Sequence, residues 1–473
     1  MKTKQTKIIA TIGPSCSSKE ALKEMILSGM NVARLNFSHG DHATKGEVIQ
    51  LIRTLNQELN TNVAILADLQ GPKIRVGDMG EGFLLEEESI FEFSTSDNNS
   101  DNGQAYINYS HFAQDVNPGE KILLDDGKIE LLVKETNKKD RVKTIVSHGG
   151  VLKSNKGVNL PNTNISQPSI TEKDRIDLEY ALSQKVDWVA LSFVRFASDV
   201  IELKELINAA NASAKIIAKI EKPEALDNID AIIEATDALM IARGDLGVEV
   251  PMENVPMIQK MLVKKCIRKA KPVIVATQMM ESMIENITPT RAEVNDVANA
   301  VMDGADAVML SGETSVGKYP VETVQNMAKI INQIEGSDDI FYQEYAPSDQ
   351  KGERFTSDLI CFSACRLAQR SEAKAIITMT FSGYTAFKIS SHRPKSKIFV
   401  FTGNRQLLTT LSLVWGVEAF YYDSMISTDQ TIADIKSLLL ANDRIENGDM
   451  MVNVASIPIA EKGMSNMLKL SEA

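Results

Sequence analysis

Residues 215–245 read KIIAKIEKPEALDNIDAIIEATDALMIARGD. Two short apolar runs, Ile216–Ile220 and Ala238–Ala242, bracket a helical stretch. Both runs are apolar almost throughout, the pattern of a strand covered on both faces. Each is followed by charge: Lys219-Ile220-Glu221 closes the first, and Arg243-Gly244-Asp245 follows the second. The same alternation of strand and helix extends in both directions. Its candidate strands are Lys7–Thr11, Asn31–Leu35, Val63–Asp68, Trp188–Ser192, Ile216–Ile220, Ala238–Ala242, Val273–Thr277 and Ala307–Leu310. Eight such units predict an α/β fold built on a closed (β/α)8 TIM barrel. A doubly wound open sheet is the alternative that this pattern allows.

The rhythm breaks after the third strand. From about Val76 to Pro161 short alternating runs are separated by turns, as in Ser89-Ile90-Phe91-Glu92-Phe93. Lys121-Ile122-Leu123-Leu124 runs into Asp125-Asp126-Gly127, a hairpin signal, and Lys128–Val133 follows. This predicts an inserted all-β domain, with Pro72 and Pro168 near its hinges, placed to act as a lid. Gly336–Asp339 and Ala346–Gln350 read as boundary and loop. Strands at Ala375–Thr380, Lys397–Thr402 and Met450–Val454 then predict a small α/β regulatory domain. The expected division is 1–70 for the first part of the barrel, 71–167 for the lid, 168–337 for the rest of the barrel and 338–473 for the C-terminal domain.

The bulk composition fits this. The chain has 473 residues, 43% hydrophobic and 24% charged, enough for several cores. Its net charge of −12 argues against nucleic acid or an anionic membrane as a partner. No apolar run reaches the ~18–20 residues that span a bilayer. Met1-Lys2-Thr3-Lys4 is followed by a strand and the Gly13-Pro14 turn rather than a secretory core, so a cytoplasmic location is expected. Cys16, Cys266, Cys361 and Cys365 are scattered and read as core thiols.

In a TIM barrel the chemistry sits at the C-terminal ends of the strands. Alternation along Arg34-Leu35-Asn36-Phe37-Ser38 puts Arg34, Asn36 and Ser38 on one side, and the third strand ends at Asp68. Lys219 and Glu221 share a side of the fifth. Arg243-Gly244-Asp245, Thr277 and Ser311-Gly312-Glu313 close the sixth to eighth. Glu221 and Asp245 are two carboxylates for a hard, oxygen-seeking cation such as Mg²⁺. Arg34 and Lys219 are cations for a phosphoryl group, and the combination is that of phosphoryl transfer. No G-x-x-x-x-G-K-[ST] loop occurs. His39 and His42 lack a third nitrogen or sulfur ligand nearby in sequence, so no zinc-type site is expected there.

These segments resemble the pyruvate kinase family from end to end. They are Thr6–Pro14, Met30–Gly40 (MNVARLNFSHG), Lys219–Lys222, Ala242–Gly247 (ARGDLG), Ala276–Met283 (ATQMMESM), Met309–Thr314 (MLSGET) and Ser465–Lys469. The resemblance implies a glycolytic transferase acting on phosphoenolpyruvate and ADP to give pyruvate and ATP. It implies Mg²⁺ or Mn²⁺ on Glu221 and Asp245, Lys219 stabilising the phosphoryl group, Arg34 on phosphate and Thr277 by the enolate carbon. Substrate would lie against Ala242 and the amides of Arg243, Gly244 and Asp245. The nucleotide would meet Asn36, Arg75 and Lys156, and Asn155 stands where some relatives have Lys. A homotetramer is also implied.

One departure is informative. Potassium-requiring relatives read D-T-K-G-P-E where this chain reads Asp68-Leu69-Gln70-Gly71-Pro72-Lys73. In them the ion is held at positions equivalent to Asn36, Ser38, Asp68 and the Thr. Leu69 removes a hydroxyl and Lys73 replaces a carboxylate with an ammonium. The change resembles the potassium-independent branch, in which no K⁺ is required and the Lys73 charge stands in for the ion. In the C-terminal domain, Thr380, Ser382, Gly383 and Thr385 open a helix after a strand and resemble the effector-phosphate loop of allosteric relatives. A phosphorylated effector is therefore expected. Two other readings stay open at this stage: a phosphoenolpyruvate enzyme that passes phosphate through a histidine, and an inactive relative that senses metabolites.

Overall fold

The structure is a computed structural model describing residues 4–96, 103–161, 163–342, 345–347, 352–424, 427–458 and 463–473. Met1–Thr3 and Ser348–Gln350 of the segments read above lie outside the described residues. Eight parallel strands close into a barrel: β1 (Lys7–Thr11), β2 (Val32–Asn36), β3 (Ala64–Asp68), β4 (Trp188–Leu191), β5 (Lys215–Ile220), β6 (Ala238–Ala242), β7 (Val273–Ala276) and β8 (Ala307–Leu310). They pair in chain order, and β1 pairs with β8 to complete the ring. The closed barrel is the expected one of the two architectures that the pattern allowed.

Closure gives each strand two dry faces. Ala33, Leu35, Ile65, Ala67, Ile216, Ala218 and Ile220 pack outward, beneath the helices. The residues between them, Val32, Ala64, Leu66, Trp188, Ala190, Ile217, Ala238, Met240 and Ile274, fill the interior. Period-two alternation then dictates which residues continue each inward row. Beyond Val32 come Arg34 and Asn36, beyond Leu66 comes Asp68, and beyond Ile217 come Lys219 and Glu221. The apolar plug of the barrel thus passes into a polar rim at one end, by register alone.

Between β3 and β4 the chain builds two further sheets. One pairs Phe83–Leu85 with Gly150–Leu152. The other has six strands in the order Val158–Asn159, Lys121–Leu124, Ile129–Thr136, Arg141–His148, Ile90–Ser94 and Gln104–Tyr106. The turn predicted at Asp125-Asp126-Gly127 is present, with all three residues at positive φ, and joins an antiparallel pair. The outgoing root of this segment turns at Gly71, with φ +69°. A side chain there would lie 2.9 Å from atoms of Ser192 and Phe193. The Gly71 N–H donates to Asp174 Oδ1 (3.0 Å), which fixes the root to the helix Glu172–Ser183.

A second α/β unit has five strands. Val417–Tyr421, Lys397–Thr402, Ala375–Met379 and Met450–Ala455 are parallel neighbours in that order, and Met467–Glu472 is added antiparallel. The first and last were not read from the sequence. This unit stoppers the N-terminal mouth of the barrel. Leu413 joins the interior apolar cluster, and Trp188 Nε1 donates to Thr410 O (3.2 Å). All four cysteines are free and buried, as expected. Among the described residues, no helix is long and apolar enough to cross a membrane.

Lys7 lies at this stoppered mouth, with its Nζ on Val417 O (2.7 Å) and 7% of the residue exposed. Burial, then the Lys397 charge, lowers its pKa from 10.5 to about 8, against smaller opposing effects of Glu418, Glu335 and Asp306. A lysine whose folded pKa is depressed destabilises the fold fully below that value. The penalty fades as pH rises from 8 towards the unfolded value near 10.4. Lys7→Met should therefore raise the melting temperature at pH 7 by about 2 °C or more, and by less at pH 10. Scanning calorimetry at both pH values checks this, and an equal gain at both would show the reasoning to be wrong.

Candidate active site

The polar rim is organised around Asp68 at the end of β3, a residue only 1% exposed. Arg34 Nε reaches its Oδ2 at 2.6 Å and Lys219 Nζ its Oδ1 at 3.2 Å. Burial pushes the Asp68 carboxyl up, but Lys219 and Arg34 outweigh it and hold the pKa below the usual value. Lys219 also pairs with Glu221 Oε1 (3.0 Å) and donates to Ser192 Oγ (2.7 Å). Burial alone would lower the Lys219 pKa, yet Asp68 and Glu221 more than reverse this and raise it. Arg34 Nη1 donates to Thr11 Oγ1 (2.8 Å), so both ends of the guanidinium are fixed.

Glu221 stands where a metal ligand was expected. Burial raises its pKa, Lys219 lowers it and the Asp245 charge raises it again. Its Oε2 accepts from the Phe193 N–H at 2.7 Å, which orients the carboxylate. Two carboxylates that repel one another in a partly dry site form a donor set that suits a hard divalent cation. Among the described residues no group of three or more His, Cys, Asp or Glu side chains is arranged to hold a metal. The pair would therefore need substrate oxygens and water to complete an octahedron.

On the next strand ends, Arg243 is clamped by Asp296, with Nη1–Oδ1 and Nη2–Oδ2 both at 2.6 Å, and Nη2 also donates to Thr277 O (2.9 Å). Ala242 ends β6, and Arg243–Glu249 is helical. The strand expected to run to Thr277 stops at Ala276, because Thr277 (φ +72°) and Gln278 (φ +52°) turn into the left-handed region. That turn lets Thr277 Oγ1 accept from the Gly244 N–H at 2.7 Å. One of the amides expected to face substrate is thereby engaged by Thr277 here.

The residues expected at a monovalent-cation site or its substitute, Asn36, Ser38, Asp68 and Lys73, lie at or beside this centre. Asn36 Oδ1 accepts from the Ser38 N–H (3.0 Å). Lys73 Nζ lies 3.9 Å from Asp245 Oδ1. His39 has a lowered pKa, from burial first and then from the charges of Arg75, Lys73, Lys45 and Lys173. A basic cluster thus surrounds the end of β2. Leu69, by contrast, is buried in the layer between strands and helices. Only its carbonyl serves the rim, accepting from Ser192 Oγ (2.8 Å). The Leu69 side chain therefore does not reach the inward face, whereas the Lys73 ammonium lies near Asp245.

Arg75 donates to Asn155 O (2.9 Å), while Lys156 is paired with Asp125 (2.7 Å) within the inserted sheets. The loop expected to take an effector phosphate lies apart from the rim, in the C-terminal unit. Gly383 (φ +85°) caps the helix Tyr384–Ser391, its N–H donates to Thr380 Oγ1 (3.0 Å), and the Tyr384 N–H donates to Ser382 Oγ (3.4 Å). Thr385 Oγ1 shares a hydrogen bond with Ser465 Oγ (3.0 Å). Sequence reasoning passed over Thr11, Ser192 and Asp296. The first two were legible as hydroxyls closing inward rows, whereas Asp296 sits on the helix Arg291–Asp303 and carries no local signal.

Comparison with known proteins agrees with this geometry. The family model for the pyruvate kinase barrel domain matches residues 3–324, and that for the pyruvate kinase alpha/beta domain matches residues 358–471. A pyruvate kinase of Geobacillus stearothermophilus is 44% identical over 471 residues, covering 99% of this chain and 80% of that protein. One from Clostridium acetobutylicum is 42% identical over 471 residues, covering 98% and 99%. The crystal structure of a Cryptosporidium parvum pyruvate kinase superposes with a TM-score of 0.91 at 35% identity, covering 99% of this chain and 96% of that one. A closed barrel with cations and carboxylates on its rim, and two family models matched in order, lead to one conclusion: the chain belongs to the pyruvate kinase family and is an enzyme of that kind.

Proposed function

We propose that the chain moves the phosphoryl group of phosphoenolpyruvate to ADP, giving pyruvate and ATP, with the rim of β2, β3, β5, β6 and β7 as its reaction centre. The observation that carries this is the Lys219 ammonium held among Asp68, Glu221 and Ser192, with Arg34 on the same Asp68 carboxylate. Because Lys219 is held protonated, it serves as a fixed positive charge for the transferring group and not as a base. Arg34, fixed at both ends, binds the phosphate. Glu221 and Asp245 hold a divalent cation, Mg²⁺ or Mn²⁺, which when bound neutralises charge on the phosphoryl and enolate oxygens. The Arg243–Asp296 clamp steadies the turn that receives the substrate carboxylate, which would take the Gly244 N–H from Thr277 Oγ1. Thr277, on its strained turn, stands in the path by which the enolate carbon takes up a proton. Asn36, Arg75 and Lys156 contact the nucleotide.

Three finer readings accompany this one. Lys73, within reach of both Asp245 and the basic cluster, supplies the charge that relatives take from potassium. The Thr380–Thr385 loop binds the phosphate of an activating sugar phosphate or nucleotide. The working form is a cytoplasmic homotetramer, which sedimentation would test.

A steady-state assay with phosphoenolpyruvate, ADP and Mg²⁺ tests the reaction, and a folded wild type without turnover would rule it out. Lys219→Met should lower kcat by about 10³-fold, the scale of losing a fixed cation on a phosphoryl group. With tetramethylammonium as the sole monovalent cation, added potassium should barely alter the wild-type rate, while Lys73→Glu should become potassium-stimulated. Strong stimulation of the wild type would refute the built-in cation. Sugar phosphates and AMP should shift the phosphoenolpyruvate saturation curve, and Ser382→Asp should abolish the shift. A curve that no such compound moves would remove the effector reading.

A further inference from the structure

Outside the ring around Asp68, a second buried charge pair sits at the crease between the barrel and the inserted sheets. Lys222 and Glu249 are 6% and 5% exposed, and Lys222 Nζ lies 2.7 Å from Glu249 Oε1. The same oxygen accepts from Asn159 Nδ2 at 2.8 Å. Glu249 Oε2 is buried without a hydrogen-bond partner among the described residues. One oxygen of one carboxylate therefore takes all the directional contacts, from two elements that are otherwise separate.

Each partner is attached to something the reaction uses. Lys222 directly follows Glu221. Glu249 closes the short helix Arg243–Glu249, which has Asp245 in its first turn. Asn159 belongs to the strand Val158–Asn159, on the limb by which the chain returns from the inserted sheets. The neighbouring cleft is lined by Lys73, Asn159, Lys222, Asp245 and Arg195. Arg195 Nη2 holds the same returning limb through Gln167 O (2.8 Å) and Ser169 Oγ (3.3 Å).

We infer that Glu249 is a positioning residue that sets the register between the lid and the two carboxylate-bearing strand ends. This rests on the function proposed above, in which phosphoenolpyruvate is held by the barrel and the nucleotide phosphates are held in part by the lid. In-line transfer needs donor and acceptor at near contact, so a shift of the lid root by an ångström is costly. A buried carboxylate cannot drift from its ammonium without leaving two charges unpaired in a dry site. Any element hydrogen-bonded to that carboxylate shares its fixed position. Asn159 couples the lid to it, and Lys222 couples Glu221 to it.

The variants separate positioning from mere stabilisation. Asn159→Ala removes only the lid contact and leaves the ion pair. It should raise the KM for ADP about fivefold. The KM for phosphoenolpyruvate, the Mn²⁺ affinity and the melting temperature should stay near wild type. The double variant Lys222→Met/Glu249→Leu replaces the pair by apolar groups, an exchange that cores commonly accept. It should keep the fold, reproduce the ADP defect and weaken Mn²⁺ binding, followed by electron paramagnetic resonance, by about tenfold. An Asn159→Ala enzyme with a wild-type KM for ADP overturns the inference. So does a folded double variant with wild-type KM for ADP and wild-type Mn²⁺ binding. If the double variant does not fold, Asn159→Ala alone decides. Absence of wild-type turnover would count against the proposed reaction instead, and Mn²⁺ binding by the double variant would still report on Glu249.

Discussion

Asp68 is the anion on which the arrangement of the site depends. A carboxylate at 1% exposure has no water to stabilise it and must be met by positive charge. Arg34 meets it from the adjacent β2 and Lys219 from β5, across the rim beyond β4, and Lys219 in turn meets Glu221. The sequence of charges across the rim is plus, minus, plus, minus. Each member fixes the next, so two cations are oriented before any substrate arrives. Such groups need no reorganisation when negative charge passes between oxygens, which is the source of electrostatic catalysis in a water-poor site. The chain bears the cost of desolvating these charges during folding rather than during turnover.

The two mouths of the barrel are treated oppositely. At the N-terminal mouth Leu413 enters the interior cluster and Trp188 bonds to Thr410 O, so apolar contact with the C-terminal unit closes it. Polar contacts are set into this seal: Lys7 is held by the Val417 carbonyl, and Arg393 of the C-terminal unit pairs with the buried Asp306 (2.8 Å). At the C-terminal mouth the inward rows end on Arg34, Asn36, Asp68, Ser192, Lys219 and Glu221, and no apolar stopper fits. This is the usual division of a TIM barrel into a stabilising and a reactive end.

Features of this fold were legible in the sequence to the extent that their signals are local. The barrel was legible because eight apolar runs had strand length and helical spacers, and alternation placed Lys219 and Glu221 on one side before any coordinates. The boundary at Thr277 was not, since β-branched sequence favours continuing the strand and only the packing against Gly244 reveals the left-handed turn. Asp296 and Glu249 were invisible for another reason. Each acts through an ion pair with a residue 53 or 27 positions away, and nothing near either residue announces its partner. Val417–Tyr421 was missed because Glu418 interrupts the short apolar run expected of a parallel strand.

Lys73 and Leu69 belong to one motif but to different surroundings in the fold. The sequence offered two changes together, Leu69 and Lys73, as one substitution for a bound ion. The structure divides them. Leu69 faces the helices and presents only its carbonyl to the rim, whereas Lys73 approaches Asp245. Lys73 also lies two residues beyond Gly71, at the root where the chain leaves the barrel. A diffusible ion would keep its place in the rim whatever the inserted sheets did. An ammonium tethered at the root moves with the root. On the reading proposed here, the positive charge beside Asp245 is therefore tied to the angle of the lid. The crease residues Asn159 and Glu249, which fix the other limb, then set that charge as well as the nucleotide.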